Sequence, residues 1–245
     1  MLSIIVPTYN ESKNIEELLT RLFTALKPNY TQYEVLVVDD NSPDGTAAVA
    51  EALKSKFDLR VVKRPRRISL ASAVLNGFKL ASGDVFCVMD ADLSHPPEAI
   101  PDMFKAITAG AEIVIGSRCV PEGGATNWPW YRRFGSTFAQ FLAKPITHIN
   151  DNTSGFFMLK RAVVEGADIN PIGFKILLEI LVKGKYEKVQ EIPIVFNDRG
   201  GGKSKLGSKQ VLEYLKQLGI IYLGILTGKI KRRHVLRSDN KGGKI

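Results

Sequence analysis

Short apolar runs alternate with helical patterns through the first half of the chain. Residues 2–6, Leu-Ser-Ile-Ile-Val, form a largely apolar run, which predicts a buried strand. Over residues 14–26, Ile15, Leu18, Leu19, Leu22 and Phe23 recur on one face at helical spacing. The reading continues with strands at 34–38, 59–63, 85–89 and 112–115, and helices at 46–56, 70–80 and 97–109. The prolines of the 97–109 segment fall in its first turns, where a missing N–H costs little. Strand–helix repetition of this kind predicts an α/β fold, a mostly parallel sheet flanked by helices. The second half is less regular. A Gly- and Pro-rich loop is expected at 120–129, helices at 131–144 and near 174–182, and strands at 155–159 and 189–196. A basic glycine-rich loop follows at 199–205, then a final apolar helix at 211–226.

In open sheets of this class, ligands sit beyond the carboxyl ends of the strands. Four polar clusters fall there: Pro7-Thr8-Tyr9-Asn10-Glu11, Asp39-Asp40, Asp90-Ala91-Asp92 and Gly116-Ser117-Arg118. They are expected to converge on one edge of one sheet.

Asp90-Ala91-Asp92 follows the apolar run Phe86-Cys87-Val88-Met89. Two carboxylates flanking one residue at a strand end place hard oxygens where Mg²⁺ or Mn²⁺ binds and bridges to phosphates. The plainer alternative is a pair of solvated aspartates or helix caps. Asp39-Asp40-Asn41-Ser42-Pro43-Asp44-Gly45-Thr46 reads as a turn and cap, with a carboxylate also available to a nucleobase or ribose. His95, His148 and His234 show no paired ligand spacing, and His95 is expected to pack or hydrogen-bond. The 199–205 segment is either a flexible surface loop or a lid that closes basic groups over a diphosphate. It lacks the glycine spacing of a P-loop.

Composition narrows the class. The 245 residues are 44% hydrophobic and 24% charged, a globular balance, and two cysteines make no disulfide framework. A reducing compartment is expected. The N-terminus lacks the pattern of a signal peptide, and no run of about 18 apolar residues predicts a spanning helix. Residues 1–198 carry 22 Lys and Arg against 23 Asp and Glu, whereas residues 199–245 carry 12 against 2. The basic excess therefore lies in the last fifth of the chain.

The segments at 5–11, 37–46 and 89–98 resemble those of the dolichyl-phosphate mannosyltransferase family, within the inverting nucleotide-sugar transferases. Gly116-Ser117-Arg118, Asn152-Thr153-Ser154-Gly155-Phe156-Phe157 and the 199–207 loop extend the resemblance in order over roughly residues 3–215. It implies a GT-A-type, Rossmann-like fold, GDP-mannose as donor, a divalent cation, and a polyprenyl (dolichyl-type) phosphate acceptor. By position, Pro7, Tyr9, Glu11, Val38, Asp39 or Asp40 would line the nucleotide pocket. Asp90, Ala91 and Asp92 would hold metal and diphosphate, assisted by Ser94, where some members have Gln. Arg118, Arg199 and Lys205 would bind donor phosphates or sugar, and Arg118, Arg132 and Ser136 the acceptor phosphate. Asp92 and Arg118 would carry the chemistry. Members commonly show a Gly-rich stretch where this chain has Ile68-Ser69-Leu70-Ala71-Ser72. A lipid phosphate is already a nucleophile near neutral pH, so positioning and charge neutralisation suffice, without a protein nucleophile.

These readings divide the chain into a catalytic domain at 1–207, an amphipathic interfacial helix with a basic flank at 208–236, and a disordered tail at 237–245. The apolar helix and its polybasic flank suit an anionic membrane surface, equally the docking of a membrane partner subunit. A peripheral position on the cytoplasmic face is expected, at the endoplasmic reticulum in a eukaryote or the cell membrane in a prokaryote. The tail lacks the aromatic interleaving of a single-strand platform, so nucleic acid is not expected as a partner. Open alternatives are UDP-glucose or another nucleotide sugar as donor, and, further off, a non-catalytic nucleotide-sugar or nucleic-acid binding protein.

Overall fold

A computed structural model describes residues 1–27, 32–126, 128–197, 208–230 and 236–237; the side chains of residues 131, 132, 208, 209, 236 and 237 lie outside the description. The elements are β1 (Leu2–Thr8), α1 (Ile15–Leu26), β2 (Tyr33–Asp39), α2 (Thr46–Ala52), β3 (Arg60–Lys63), α3 (Leu70–Leu80), β4 (Val85–Val88), α4 (Ile100–Thr108), β5 (Ile113–Ser117), β6 (Gly124–Thr126), α5 (Trp130–Ala143), β7 (Phe157–Lys160), α6 (Arg161–Val164), α7 (Ile176–Lys183), β8 (Lys188–Pro193), β9 (Val195–Asn197), α8 (Ser208–Leu226) and β10 (Leu236–Arg237).

Eight strands form one sheet in the order β10-β8-β5-β7-β4-β1-β2-β3, in which β7 runs antiparallel to both neighbours. Successive residues of the central strands face opposite layers, as the two-residue period of a strand requires. Ile4, Val6, Val35, Val37 and Cys87 pack against α1, α2 and α4. Ile5, Leu36, Val38, Phe86 and Val88 pack against α3 and α7. Both faces are covered, so the strands read as continuous apolar runs rather than alternating ones. α1 buries Ile15, Leu18, Leu19, Leu22, Phe23 and Leu26. Each such side chain contributes roughly 1.5–3 kcal/mol of apolar burial.

The chain runs from β1 outward through β2 and β3, then returns across β1 to β4. This reversal of direction opens a crevice between β1 and β4, the switch point where ligands bind in open α/β sheets. β1 pairs with β4 only from Leu2 to Ile5. Pro7, which has no N–H to give, lies just beyond the last paired residue, where the strands part.

Two expected elements differ. The 189–196 strand is two strands, because Pro193 closes the β5 ladder, and β9 then pairs with β6. The expected loop at 120–129 therefore contains a strand, β6. The boundary between flank and tail, expected at 236/237, falls inside β10, which pairs with β8. The other expected strands and helices stand within a few residues, and α8 starts earlier than the 211–226 pattern; the 199–205 loop and residues 238–245 lie outside the described residues. No helix among the described residues is long and apolar enough to cross a membrane.

Candidate active site

The carboxyl ends of β1, β2, β4 and β5 bring the four polar clusters to one edge of the sheet. On the β1–β2 side, Pro7 stands opposite Val38 and Thr8 opposite Asp39. The Asp39 carboxylate is taken up locally: Thr8 Oγ1 donates to it at 2.9 Å, Ser42 N at 2.9 Å and Ser42 Oγ at 2.6 Å. Asp39 thus builds the turn. Asp40 pairs with Arg64, whose second amino group reaches Ser72 Oγ. Burial raises the Asp40 pKa, and Arg64 opposes the shift. Tyr9 carries the Arg67 guanidinium over its ring, 3.8 Å from the centroid. The Glu11 amide donates to Thr46 Oγ1 at 2.9 Å, and its carboxylate accepts from Asn14 Nδ2 at 2.8 Å. Asn10 and Asn41 both have positive φ, which their short polar side chains tolerate.

Asp90-Ala91-Asp92 leaves the end of β4, and the next residue, Leu93, has φ 63°. A bulky residue there is strained, as backbone at functional sites often is. The turn brings Ser94 back onto Asp92: Ser94 N donates to Asp92 Oδ1 at 3.1 Å, and Ser94 Oγ also donates to it. His95 is buried, stacked on Phe156 and edge-on to Phe196. Its Nδ1 accepts from the Asp90 amide at 3.1 Å, which puts the ring proton on Nε2. Burial pushes its pKa down to about 4. Gly155 lies behind this turn. A Cβ there would sit 3.1 Å from Asp90 Oδ2 and 3.2 Å from His95 Cε1, so the glycine leaves room for the carboxylate. Two hard carboxylates at a strand end suit an oxygen-seeking divalent cation that takes its remaining ligands from phosphates and water.

Arg118 follows β5. Its Nε and Nη2 each donate to Asp151 at 2.7 Å, and its amide donates at 3.0 Å. Asp151 is fully buried and receives its own orientation from Glu191, which accepts the Asp151 amide at 3.0 Å and Ser117 Oγ at 2.8 Å. Burial opposes charge on both Arg118 and Asp151. Their pairing outweighs it, holding the guanidinium pKa above its ordinary value and the carboxyl below. The guanidinium also lies 5.3 Å from the Trp128 ring. In front of it opens a cleft of about 360 Å³ lined by Arg118, Trp128, Arg133, Ser136, Thr137 and Gln140, among others. The adjoining face of α5 exposes Trp130, Phe134, Phe138 and Phe141, with Trp130 80% and Phe134 69% accessible.

Residues 3–166 match the glycosyl transferase family 2 model. The chain is 40% identical to a dolichol-phosphate mannosyltransferase of Saccharomyces cerevisiae over 232 residues, 90% of this chain and 86% of the relative. This chain belongs to the dolichol-phosphate mannosyltransferase family, within glycosyl transferase family 2. A relative of the same name from Pyrococcus furiosus is 52% identical over 220 residues, 88% of this chain; the chain spans 62% of that relative's length. Among solved structures, a mannosyltransferase from Pyrobaculum calidifontis in complex with GDP-Man and Mn²⁺ matches with a TM-score of 0.63 at 20% identity, covering 92% of this chain and 64% of that one. Glucosyl-3-phosphoglycerate synthase from Mycobacterium tuberculosis matches with a TM-score of 0.64 at 17% identity, covering 91% and 78%. At these identities the likeness is one of fold, and that fold is GT-A-type.

Pro7, Tyr9, Glu11, Val38, Asp40, Asp90, Ala91, Asp92 and Arg118 lie at or just past the carboxyl ends of their strands, and Ser136 shares the cleft with Arg118. Asp39 faces its own turn, and the Ser94 hydroxyl engages Asp92. Arg132 is in α5, but its side chain lies outside the description, and Arg199 and Lys205 lie outside the described residues. Sequence reasoning missed Arg64, Arg67, Trp128, Arg133, Gln140, Asp151 and Glu191. Glu191 carried a legible signal: it shares a strand face with the buried Val189, and a charge there implies a partner.

Proposed function

We propose that the protein transfers mannose from GDP-mannose to a polyprenyl (dolichyl-type) phosphate, with Mg²⁺ or Mn²⁺ at Asp90 and Asp92. The observation that carries this reading is the two-faced α5. One face lines a cationic cleft with Arg133, Ser136 and Gln140, and the adjoining face is a row of exposed aromatics. An acceptor with an anionic head and an apolar tail fits both. The names of the relatives support the mannosyl donor.

Tyr9, Glu11, Val38 and Asp40 line the nucleotide end of the crevice, with Pro7 under them. Asp90 and Asp92 would hold the cation, which would neutralise charge on the departing diphosphate. Ser94 holds Asp92 in place, and Gly155 gives Asp90 its room. Arg118, fixed by Asp151, presents the rest of its planar guanidinium to phosphate oxygens. The acceptor phosphate oxygen attacks the anomeric carbon, the bond to the diphosphate oxygen breaks, and the anomeric centre inverts in a single displacement. The aromatic face of α5 and the exposed Leu212, Leu215, Leu223 and Leu226 of α8 rest on the cytoplasmic membrane surface, supported by the basic C-terminal flank. A membrane partner subunit is the second occupant this face suits.

The test is incubation with Mn²⁺ or Mg²⁺, a short polyprenyl phosphate, and GDP-mannose, UDP-glucose or UDP-N-acetylglucosamine in turn. Glycolipid from GDP-mannose is the expected product. Product from a UDP-sugar alone overturns the donor assignment.

A further inference from the structure

Lys175 stands immediately before α7, at the inner end of the segment Pro171-Ile172-Gly173-Phe174. Its carbonyl accepts Gln217 Nε2 from α8 at 3.2 Å, and the same amide group reaches Glu179 Oε2 at 3.2 Å. The backbone at Lys175 is thereby fixed from two helices. Its ammonium donates to the Thr153 carbonyl at 2.9 Å. Thr153 is the midpoint of the loop that joins both halves of the site: Asp151 at one end grips Arg118, and Gly155 at the other abuts Asp90.

An ammonium has three N–H donors. Among the described residues, Lys175 Nζ finds the Thr153 carbonyl and the Phe174 ring, 4.7 Å from its centroid, and no carboxylate forms an ion pair with it. Burial, and next the Arg118 charge, hold its pKa down to about 8, against the pull of Asp151 and Asp90. A half-buried cation near another cation is costly unless an anion arrives to meet it. Salt-bridged lysines of the surface have no such deficit. Asp151 is consumed by Arg118 and Glu191 by the amides of Asn150 and Asp151. The fold therefore keeps a poorly satisfied positive charge beside the point where the two substrates meet.

We propose that Lys175 is a further substrate-binding residue, whose ammonium, anchored on the 151–155 loop between Asp90 and Arg118, binds a phosphate oxygen at the junction of donor and acceptor. The turnover part of this inference rests on the transfer reaction proposed above. The phosphate has two sources, the donor diphosphate and the acceptor monophosphate, and both present the same oxygens.

The experiment compares wild type with Lys175→Met, Lys175→Gln and Lys175→Arg. It measures KM for GDP-mannose and for a short polyprenyl phosphate, kcat, calorimetric binding of inorganic pyrophosphate with Mn²⁺, and the thermal midpoint of the substrate-free protein. Losing a hydrogen bond to a charged group weakens binding about 10- to 100-fold. Lys175→Met and Lys175→Gln are expected to raise one KM, or weaken pyrophosphate, by that factor, with the substrate-free midpoint unchanged or higher; Lys175→Arg is expected to recover part of the loss. A rise in the lipid-phosphate KM assigns the contact to the acceptor, and a rise in the GDP-mannose KM or weaker pyrophosphate binding assigns it to the donor. Unchanged affinities for all three ligands in folded variants overturn the proposal. So does a loss that follows the fall in midpoint and is equal in Lys175→Arg. A wild type that binds pyrophosphate but forms no glycolipid contradicts the transfer reading instead, and pyrophosphate affinity in the variants still decides the role of Lys175.

Discussion

Replacing Gly155 with Ala presses directly on the Asp90 carboxylate. The added Cβ would lie 3.1 Å from Asp90 Oδ2 and 3.2 Å from His95 Cε1, inside the separation of about 3.5–4.0 Å at which heavy atoms rest. One neighbour must give way by a few tenths of an ångström. His95 has little freedom: it stacks on Phe156 at 5.3 Å, meets Phe196 at 5.5 Å, and its Nδ1 accepts the Asp90 amide. Asp90 therefore moves. Metal–ligand distances tolerate only about ±0.2 Å, so a shift of this size weakens coordination, and disturbances around a metal site cost about 10- to 100-fold in affinity or activity. We expect the Mn²⁺ concentration for half-maximal turnover to rise about tenfold or more. Overpacking should cost the fold about 1–3 kcal/mol. The assay is turnover against Mn²⁺ concentration, alongside thermal midpoints with and without Mn²⁺. Metal raises the wild-type midpoint by mass action, and the variant should show a smaller rise at the same concentration. A folded Gly155→Ala protein with wild-type metal dependence in both measurements would refute the placement of metal at Asp90.

Other consequences are open to measurement. Asp151→Asn leaves the buried Arg118 guanidinium without its counter-charge, and unpairing a buried ion pair costs about 3–5 kcal/mol; urea denaturation should show a loss near the lower bound, and a loss under about 1 kcal/mol would remove Asp151 from that role. Burial raises the Asp44 pKa, but hydrogen bonds from Thr46 and Ser12 outweigh it and bring the carboxyl down to about 2. A depressed carboxyl adds stability above its unfolded pKa, near 4, and loses it as pH falls through about 2. Asp44→Asn should therefore flatten the acid limb of stability between about pH 4 and 2, and an unchanged limb would contradict the linkage. Phe134→Ser with Phe138→Ser should reduce sedimentation with anionic vesicles while leaving the fold intact; wild-type partitioning would take the membrane contact off α5.

The layers of this fold were legible because its strands are buried on both faces and its helices on one. The run at residues 2–6 and the stripe from Ile15 to Phe23 each admit one reading. The ligand edge was legible for the same reason, since strand ends locate the carboxylates at Asp39-Asp40 and Asp90-Ala91-Asp92. What those carboxylates do was not. Whether Asp39 closes a turn or faces a ligand depends on where Thr8 and Ser42 lie in space. The antiparallel entry of β7 between β4 and β5 leaves no local trace, because a buried strand has the same pattern in either direction. Lys175 and Asp151 were hidden for a related reason. Their environment is built by partners far along the chain, Arg118 for Asp151 and Thr153 for Lys175. The 189–196 strand was read as one because apolar residues continue past Pro193, and only the missing N–H marks the change of partner.

The central claim is direct transfer at the junction of Asp90, Asp92 and Arg118. The most direct test is formation of mannosyl-phosphoryl lipid from GDP-mannose by wild type, with metal chelated and restored, beside Asp92→Ala of verified fold. The account predicts product from wild type only when metal is restored, with the anomeric configuration inverted relative to the donor, and none from Asp92→Ala. Full turnover by Asp92→Ala with metal chelated, or a product that retains the donor's configuration, would contradict it.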